Sequence, residues 1–383
     1  MDRMKKTIVI LFLLSLIISG CAPNFSSEEE VVQEPTEDEG EEQRFIIPQS
    51  LTDEEYRTML PYEVNAARGV ITNQLSNRYD IEELETGLIR HATQVFDPED
   101  FFFQEGQYLN RNTLLTWIDD LNPVKASQAL DDDATVEEHR EFHQENPRIL
   151  SHILEQNFLT LTDDNIVEIG GVAIALALKS ELAYTTEIGG PTYYLNIERE
   201  EMLEFGKETA DRVLERLRNI EELNDVPILI MLYEQSANNS VMPGNFILKT
   251  VAQPQTMLVG DWEEIDEEYI LFPSSRAERD YYDHSEMVRE FTNDVTRFFP
   301  NYVGVIGKGF YREGQLQHLS ITIPIEFNGK QEVVGFVQHL YGLVNEHFPT
   351  HFDIQISIES LDRVEGIIVR NAGEEEPFIH IYQ

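Results

Sequence analysis

Apolar and polar positions divide this 383-residue chain into three regimes. Thr7 to Ile18 is an almost unbroken apolar run, interrupted by Ser15. Ala22 to about Arg44 is polar and acidic, and between Glu28 and Glu42 the apolar residues are Val31 and Val32. From Leu51 onward, apolar residues recur with the periods of secondary structure. The spacing predicts a helix over 81–95 and a strand at Phe101-Phe102-Phe103, then a charged connector from Asp131 to Asn146. Ile149–Leu161 and Ile166–Leu178 have the density of a hairpin buried in a core, with Thr162-Asp163-Asp164-Asn165 as its turn. Met202, Phe205, Ala210, Val213, Leu214, Leu217 and Ile220 then mark a long amphipathic helix. Glutamates at its start and arginines at its end suit the helix dipole.

Val226–Tyr233 is an aliphatic run typical of a buried strand, and Asn245–Val251 and Glu268–Phe272 are further strand candidates. Met287, Val288, Phe291, Val295 and Phe298 share one helical face, which Pro300 ends. Leu319, Ile321, Ile323, Ile325 and Phe327 fall at every second position, and Asn328-Gly329 is the turn after them. Pro324 on the outer face of that strand suggests an edge or a bulge. A helix over 332–348 follows, then strands at Phe352–Ile358, Ile367–Val369 and Phe378–Tyr382. Helices set between strands with one apolar face indicate an α+β fold with mostly antiparallel sheets packed by helices. The expected division is a leader at 1–20, a disordered acidic linker at 21–50, and α+β domains at 51–221 and 222–383.

Charge sharpens this picture. The chain carries 28 Lys+Arg against 71 Asp+Glu, a formal net charge of −43. So acidic a surface repels phosphate backbones and anionic headgroups, which excludes nucleic acid as a partner and leaves membrane attachment to a covalent anchor. Cys21 is the one cysteine, so the chain forms no internal disulfide. Arg3, Lys5 and Lys6 precede the apolar run, and Ile18-Ser19-Gly20-Cys21 follows it, the layout of a signal peptide. An aliphatic, small, small triplet before cysteine resembles the lipobox of bacterial lipoproteins. That resemblance implies cleavage between Gly20 and Cys21, acylation of Cys21, and a lipid-anchored protein on the extracytoplasmic face of the cell membrane. Two or three acyl chains anchor stably where one is marginal. The acidic stretch reads as a disordered tether spanning about 30 Å.

Signatures of chemistry are sparse. His139 and His143 stand at i and i+4, a spacing that offers two imidazoles to zinc, but the glutamate between them is misplaced for a zinc protease. Gly304, Gly307 and Gly309 lie in a strand-like stretch and lack the order of a phosphate loop. Asp131-Asp132-Asp133 and Asp163-Asp164-Asn165 lack the alternation of a calcium loop. No nucleophile motif is present, so neither an enzyme nor a cofactor is expected. The loop Ser236–Gly244, Trp262 and Tyr281-Tyr282 are candidates to border a binding pocket.

Several stretches together resemble the CamS family of sex-pheromone lipoprotein precursors of Gram-positive bacteria. They are the leader, Tyr56-Arg57-x-x-x-Pro61-Tyr62, Ala66-Ala67-Arg68-Gly69 and Gly170-Gly171-Val172-Ala173-Ile174. The resemblance implies that a short apolar peptide from the end of the leader is released and induces plasmid conjugation, through a receptor in the recipient. Here that segment is Leu14-Ser15-Leu16-Ile17-Ile18-Ser19-Gly20, which starts with leucine and lacks the aromatic residue of the family's active peptide type. The body is then expected to be a binding or interaction module of unknown ligand, the alternative being an extracytoplasmic hydrolase with an unrecognised site.

Overall fold

A computed structural model describes residues 55–382, apart from 76, 126–129, 131–133, 163, 165, 187–188, 299–303 and 327–328, together with the backbone of 30–32 and 43–46. The expected hairpin lies at the centre of a first sheet. β5 (Leu150–Leu161) and β6 (Val167–Leu178) pair antiparallel from Leu150↔Leu178 to Leu161↔Val167. Both faces of β6 are buried, and they differ in bulk. Val172, Ile174, Leu176 and Leu178 share a core with α3 (Arg111–Leu121) and α5 (Arg199–Arg218). Ala173, Ala175 and Ala177 face α2 (Arg78–Ala92), whose Leu84, Leu88 and Ala92 pack there. At Gly171 a methyl group would stand 2.0 Å from the Phe96 ring, which itself stacks on Phe158. The glycine pair of the hairpin is therefore a packing requirement.

β9 (Ile228–Glu234) lies parallel beside β6, as the crossover through α5 allows, and β10 (Asn245–Ala252) and β11 (Glu263–Glu264) continue the sheet. On the other flank come β4 (Phe102–Glu105) and β3 (Arg57–Leu60). A division between 221 and 222 therefore cuts this sheet, because β9 to β11 belong to the first unit rather than the second. An aliphatic run marks a buried strand but not which strand it pairs with. Two short strands, β1 (Glu30–Val32) and β2 (Gln43–Ile46), fall inside the stretch expected as a disordered linker. Their backbone pairs from the edge of β3.

The second sheet has the order β12-β13-β14-β15-β16-β17. Its strands are β12 (Glu267–Phe272), β13 (Ile306–Arg312), β14 (Gln315–Pro324), β15 (Asp353–Glu359), β16 (Val364–Arg370) and β17 (Phe378–Ile381). Leu319, Ile321 and Ile323 of β14 and Ile354, Ile356 and Ile358 of β15 turn one apolar face toward α7 (Tyr282–Phe298) and α8 (Lys330–His347). β14 is an interior strand rather than the edge that Pro324 suggested. Pro324 is its last residue, where a missing N–H costs the ladder little. Most pairings are antiparallel, with parallel pairs at β3–β4, β6–β9 and β14–β15, so the α+β class expected from the sequence holds.

Helix α2 is shared between the two sheets. Its apolar side packs on the first, while Tyr79, Glu83, Arg90 and His91 meet β12 and β13 of the second. Glu267, 5% exposed, receives Arg90 Nη2 at 2.9 Å, His91 Nε2 at 3.0 Å and Arg312 Nε at 3.0 Å. Tyr269 donates its hydroxyl to Glu83, Arg90 lies 4.6 Å from the Phe310 ring, and Lys308 lies 3.6 Å from the Tyr79 ring. Burial opposes ionisation of Glu267. The His91 hydrogen bond and the Arg90 charge outweigh it and hold its pKa at about 2.

Candidate functional site

An apolar cleft of about 510 Å3, within the range of small-ligand sites, lies on the α2 side of the first sheet. Ile81 and Ile89 of α2, Ile71 of α1 (Ile71–Gln74), Phe103 of β4 and Leu154 of β5 give it apolar walls. The Ala66-Ala67-Arg68-Gly69 stretch, noted above as a sequence marker, builds one side. Asn65 Oδ1 accepts from Ala67 N at 2.6 Å, and Gly69 takes a φ of 81°, a left-handed turn that suits glycine. Thr72 then donates to Gly69 O at 2.9 Å, opening α1 toward the cleft.

β4 pairs with β5 only from Gln156 to Leu159, and the cleft takes in His152 to Gln156, where that pairing stops. The polar side chains of this segment are buried, but not all are satisfied. Glu155 accepts from Gln107 N at 2.9 Å, Tyr108 N at 3.0 Å and Leu109 N at 2.7 Å, which clamps the loop after β4. Burial raises its pKa against those three amides. Gln156 donates to Glu85 O at 2.9 Å, while its Oε1 has no partner. His152 is 3% exposed, its Nδ1 has no partner, and burial pushes its pKa down to about 3. At the rim, Glu105 accepts from Tyr62 at 2.6 Å and from Asn65 N. Partial burial and the neighbouring Glu105 raise the Glu85 carboxyl, against the Arg68 guanidinium.

The residues singled out in the sequence fall elsewhere. Leu14 to Gly20 and Cys21 lie outside the described residues, as do Asp131 to Asp133, Asp163 and Asn165. His139 and His143 sit on α4 (Val136–Glu145), a helix inside the expected connector that Thr135 and Glu138 start with a capping box. Their rings are 6.4 Å apart, and among the described residues no third ligand joins them. The group of metal-ligand type that does form is Asp294, Glu346 and His347. There Asp294 already pairs with His347 at 3.0 Å and with Arg297 at 3.0 Å. Gly307 and Gly309 lie in β13, against Phe272.

The Ser236–Gly244 loop wraps the buried Asp80 carboxylate, which accepts from Tyr233 Oη at 2.8 Å, Gly244 N at 2.7 Å, Ser236 Oγ at 3.2 Å and Ser236 N at 3.3 Å. Ser236 and Asn238 border a second pocket of about 330 Å3 beside Lys179. Trp262 packs against the first core, and the Tyr281 ring lies tilted against Tyr311 at 4.0 Å. None of these lines the larger cleft. A signal for the cleft was nonetheless present. Ser151, His152, Glu155, Gln156 and Asn157 are polar residues inside a run dense enough to be core, and all five are buried.

Fold and site together define a two-sheet α+β body with an apolar, acid-rimmed cleft. The model of the CamS sex pheromone cAM373 precursor family matches residues 62–376, and the chain belongs to that family. Its fold is similar to the crystal structure of a sex pheromone precursor from Lactobacillus salivarius subsp. salivarius UCC118. That protein is 25% identical with a TM-score of 0.79, over 89% of this chain and 99% of that one. The C-terminal domain of the sex pheromone staph-cAM373 precursor from Staphylococcus aureus is also 25% identical, with a TM-score of 0.68, over 81% of this chain and 98% of that one. No curated protein matched the chain. Among the described residues, no helix is long and apolar enough to cross a membrane.

Proposed function

We propose that this chain is the lipid-anchored precursor of a secreted peptide signal, with a folded body that binds an apolar ligand on the outer face of the membrane. Membership in the sex-pheromone precursor family carries the first half of this reading, together with the Ile18-Ser19-Gly20-Cys21 junction. Cleavage before Cys21 frees the leader, acylation of Cys21 holds the body at the membrane, and trimming of the leader yields Leu14–Gly20. The peptide then induces conjugation in plasmid-bearing recipients through a receptor of their own.

The cleft supports binding rather than turnover. A histidine neutral down to about pH 3, as His152 is, is too weak a base to take up a proton near neutrality. Glu155 already spends its carboxylate on the amides of Gln107, Tyr108 and Leu109. What remains is an apolar surface rimmed by the Glu85 and Glu105 carboxylates and the Arg68 guanidinium, groups that suit orienting a ligand.

The anchor has a direct test. Cys21→Ala should abolish acyl labelling and move the protein from the membrane fraction into the medium. A membrane-bound, acyl-labelled variant would contradict the proposal.

A further inference from the structure

We infer that the pocket of about 330 Å3 beside Lys179 binds a small polar molecule through an anionic oxygen group, a carboxylate or a phosphate. No residue lines both this pocket and the apolar cleft, so the inference rests neither on the leader nor on the ligand of the cleft. The place of the pocket follows from the topology. β6 and β9 run parallel with Leu178 opposite Glu234, so both strands end on the same side of the sheet. Lys179 and Ser180 directly follow β6, and Gln235, Ser236 and Asn238 follow β9. A crevice at the carboxyl ends of parallel strands is where open α/β sheets hold their ligands. Here hydrogen bonds fix both walls. Lys179 N donates to Ile149 O at 2.9 Å, Ser180 Oγ to Gln235 O at 2.7 Å, and Gln235 N to Leu178 O at 2.8 Å. The buried Asp80 carboxylate holds Ser236 by its amide and its hydroxyl.

The positive charge at this site has no counter-charge. Lys179 is half-buried, and among the described residues its ammonium group makes no ion pair and no hydrogen bond. Glu181 borders the same pocket without pairing with it. Other lysines do reach a carboxylate: Lys125 pairs with Asp120 at 3.2 Å, Lys249 with Glu263 at 3.0 Å and Lys330 with Glu365 at 3.0 Å. Burial, and after it the Arg148 charge, lowers the Lys179 pKa, while Arg148 itself is answered by Asp119 at 3.1 Å. An ammonium group drawn out of water without a partner costs free energy. An oxyanion in the pocket supplies that partner through a charge-assisted hydrogen bond. The hydroxyls and amides around Lys179 suit neutral polar groups on the same molecule. The net charge of −43 opposes the approach of any anion, but physiological salt screens that repulsion beyond about 8 Å. A ligand in the pocket meets Lys179 directly.

The experiment is calorimetric titration of the purified chain with sodium glucuronate and with inorganic phosphate, glucose being the neutral control. Lys179→Met keeps the stem of the side chain and removes its charge. Its melting temperature should be unchanged or raised, because the charge it loses is unpaired. The expected result is saturable binding of glucuronate or phosphate, weakened at least about tenfold by Lys179→Met, and no binding of glucose. Binding of glucuronate alone would mark the ligand as a carboxylate, and binding of phosphate alone as a phosphate compound. Ala183 borders the pocket from an exposed position, so Ala183→Trp should weaken the same binding with Lys179 in place. If Lys179→Met lowers the melting temperature, Ala183→Trp carries the test. Absence of saturable binding of both anions, undiminished binding by the variants, or equal binding of glucose would each overturn the inference.

Discussion

Glu267→Ala is expected to lower the stability of the protein by about 3–5 kcal/mol, the usual consequence of removing one member of a buried ionic cluster. The substitution leaves His91 and Arg312 without their carboxylate and Arg90 with Glu83 alone. These groups lie between α2 and the second sheet, so the loss falls on the joint between the two halves. Limited proteolysis should then cut between β11 and β12 faster than in the wild type. The same carboxylate predicts a pH dependence. Its pKa is lowered from 4.5 to about 2 in the folded state. Its contribution, about 3 kcal/mol, is therefore fully present above the unfolded value and lost as pH falls from about 4.5 toward 2. Urea unfolding of wild type and Glu267→Ala at pH 7 and pH 3 measures both effects, and the difference between the two proteins should shrink at the lower pH. A variant as stable as wild type at pH 7 would show that the joint rests on the apolar contacts instead.

Asp80→Ala is expected to cost about 4 kcal/mol, by stranding donors rather than by opening a cavity. Asp80 is fully buried, and Tyr233, Ser236 and Gly244 all donate to it. Asn77, the N-cap of α2, ties the same corner with bonds from its Nδ2 to Ser236 Oγ at 2.8 Å and to Ser240 O at 3.1 Å. The Ser236–Gly244 loop should therefore lose amide-exchange protection together with the start of α2. Asp80→Asn keeps an acceptor and should cost less than Asp80→Ala. Equal losses for the two variants would mean that packing, not hydrogen bonding, sets the effect.

The elements most legible in the sequence are those whose period reports burial directly. The β5–β6 hairpin, α5, β14, α8 and β15 all follow from apolar spacing, because each turns one or two continuous faces to a core. Short elements escaped. α1, β3 and the two-stranded ribbon of β7 (Glu181–Thr185) and β8 (Thr192–Asn196) are too brief to establish a period. α4 is polar on most of its surface and is marked by its capping box, a local signal inside a stretch that reads as a connector. The boundary between the sheets was misplaced because β9 and β14 look alike as apolar strands, and strand pairing is a long-range property. The cleft was hidden for a related reason. Arg68, Glu85, Glu105 and His152 come from four separate elements, and their convergence depends on the tertiary fold.

The family assignment rests on the body, whereas the activity proposed for the chain belongs to its first twenty residues. The most direct test is mass spectrometry of culture medium for the Leu14–Gly20 peptide, with a strain carrying an unrelated lipoprotein leader on the same body as control. The account predicts that the peptide is present with the native leader and absent after the exchange. Its absence from both media would contradict the precursor reading and leave the cleft of the body as the place to seek the protein's function.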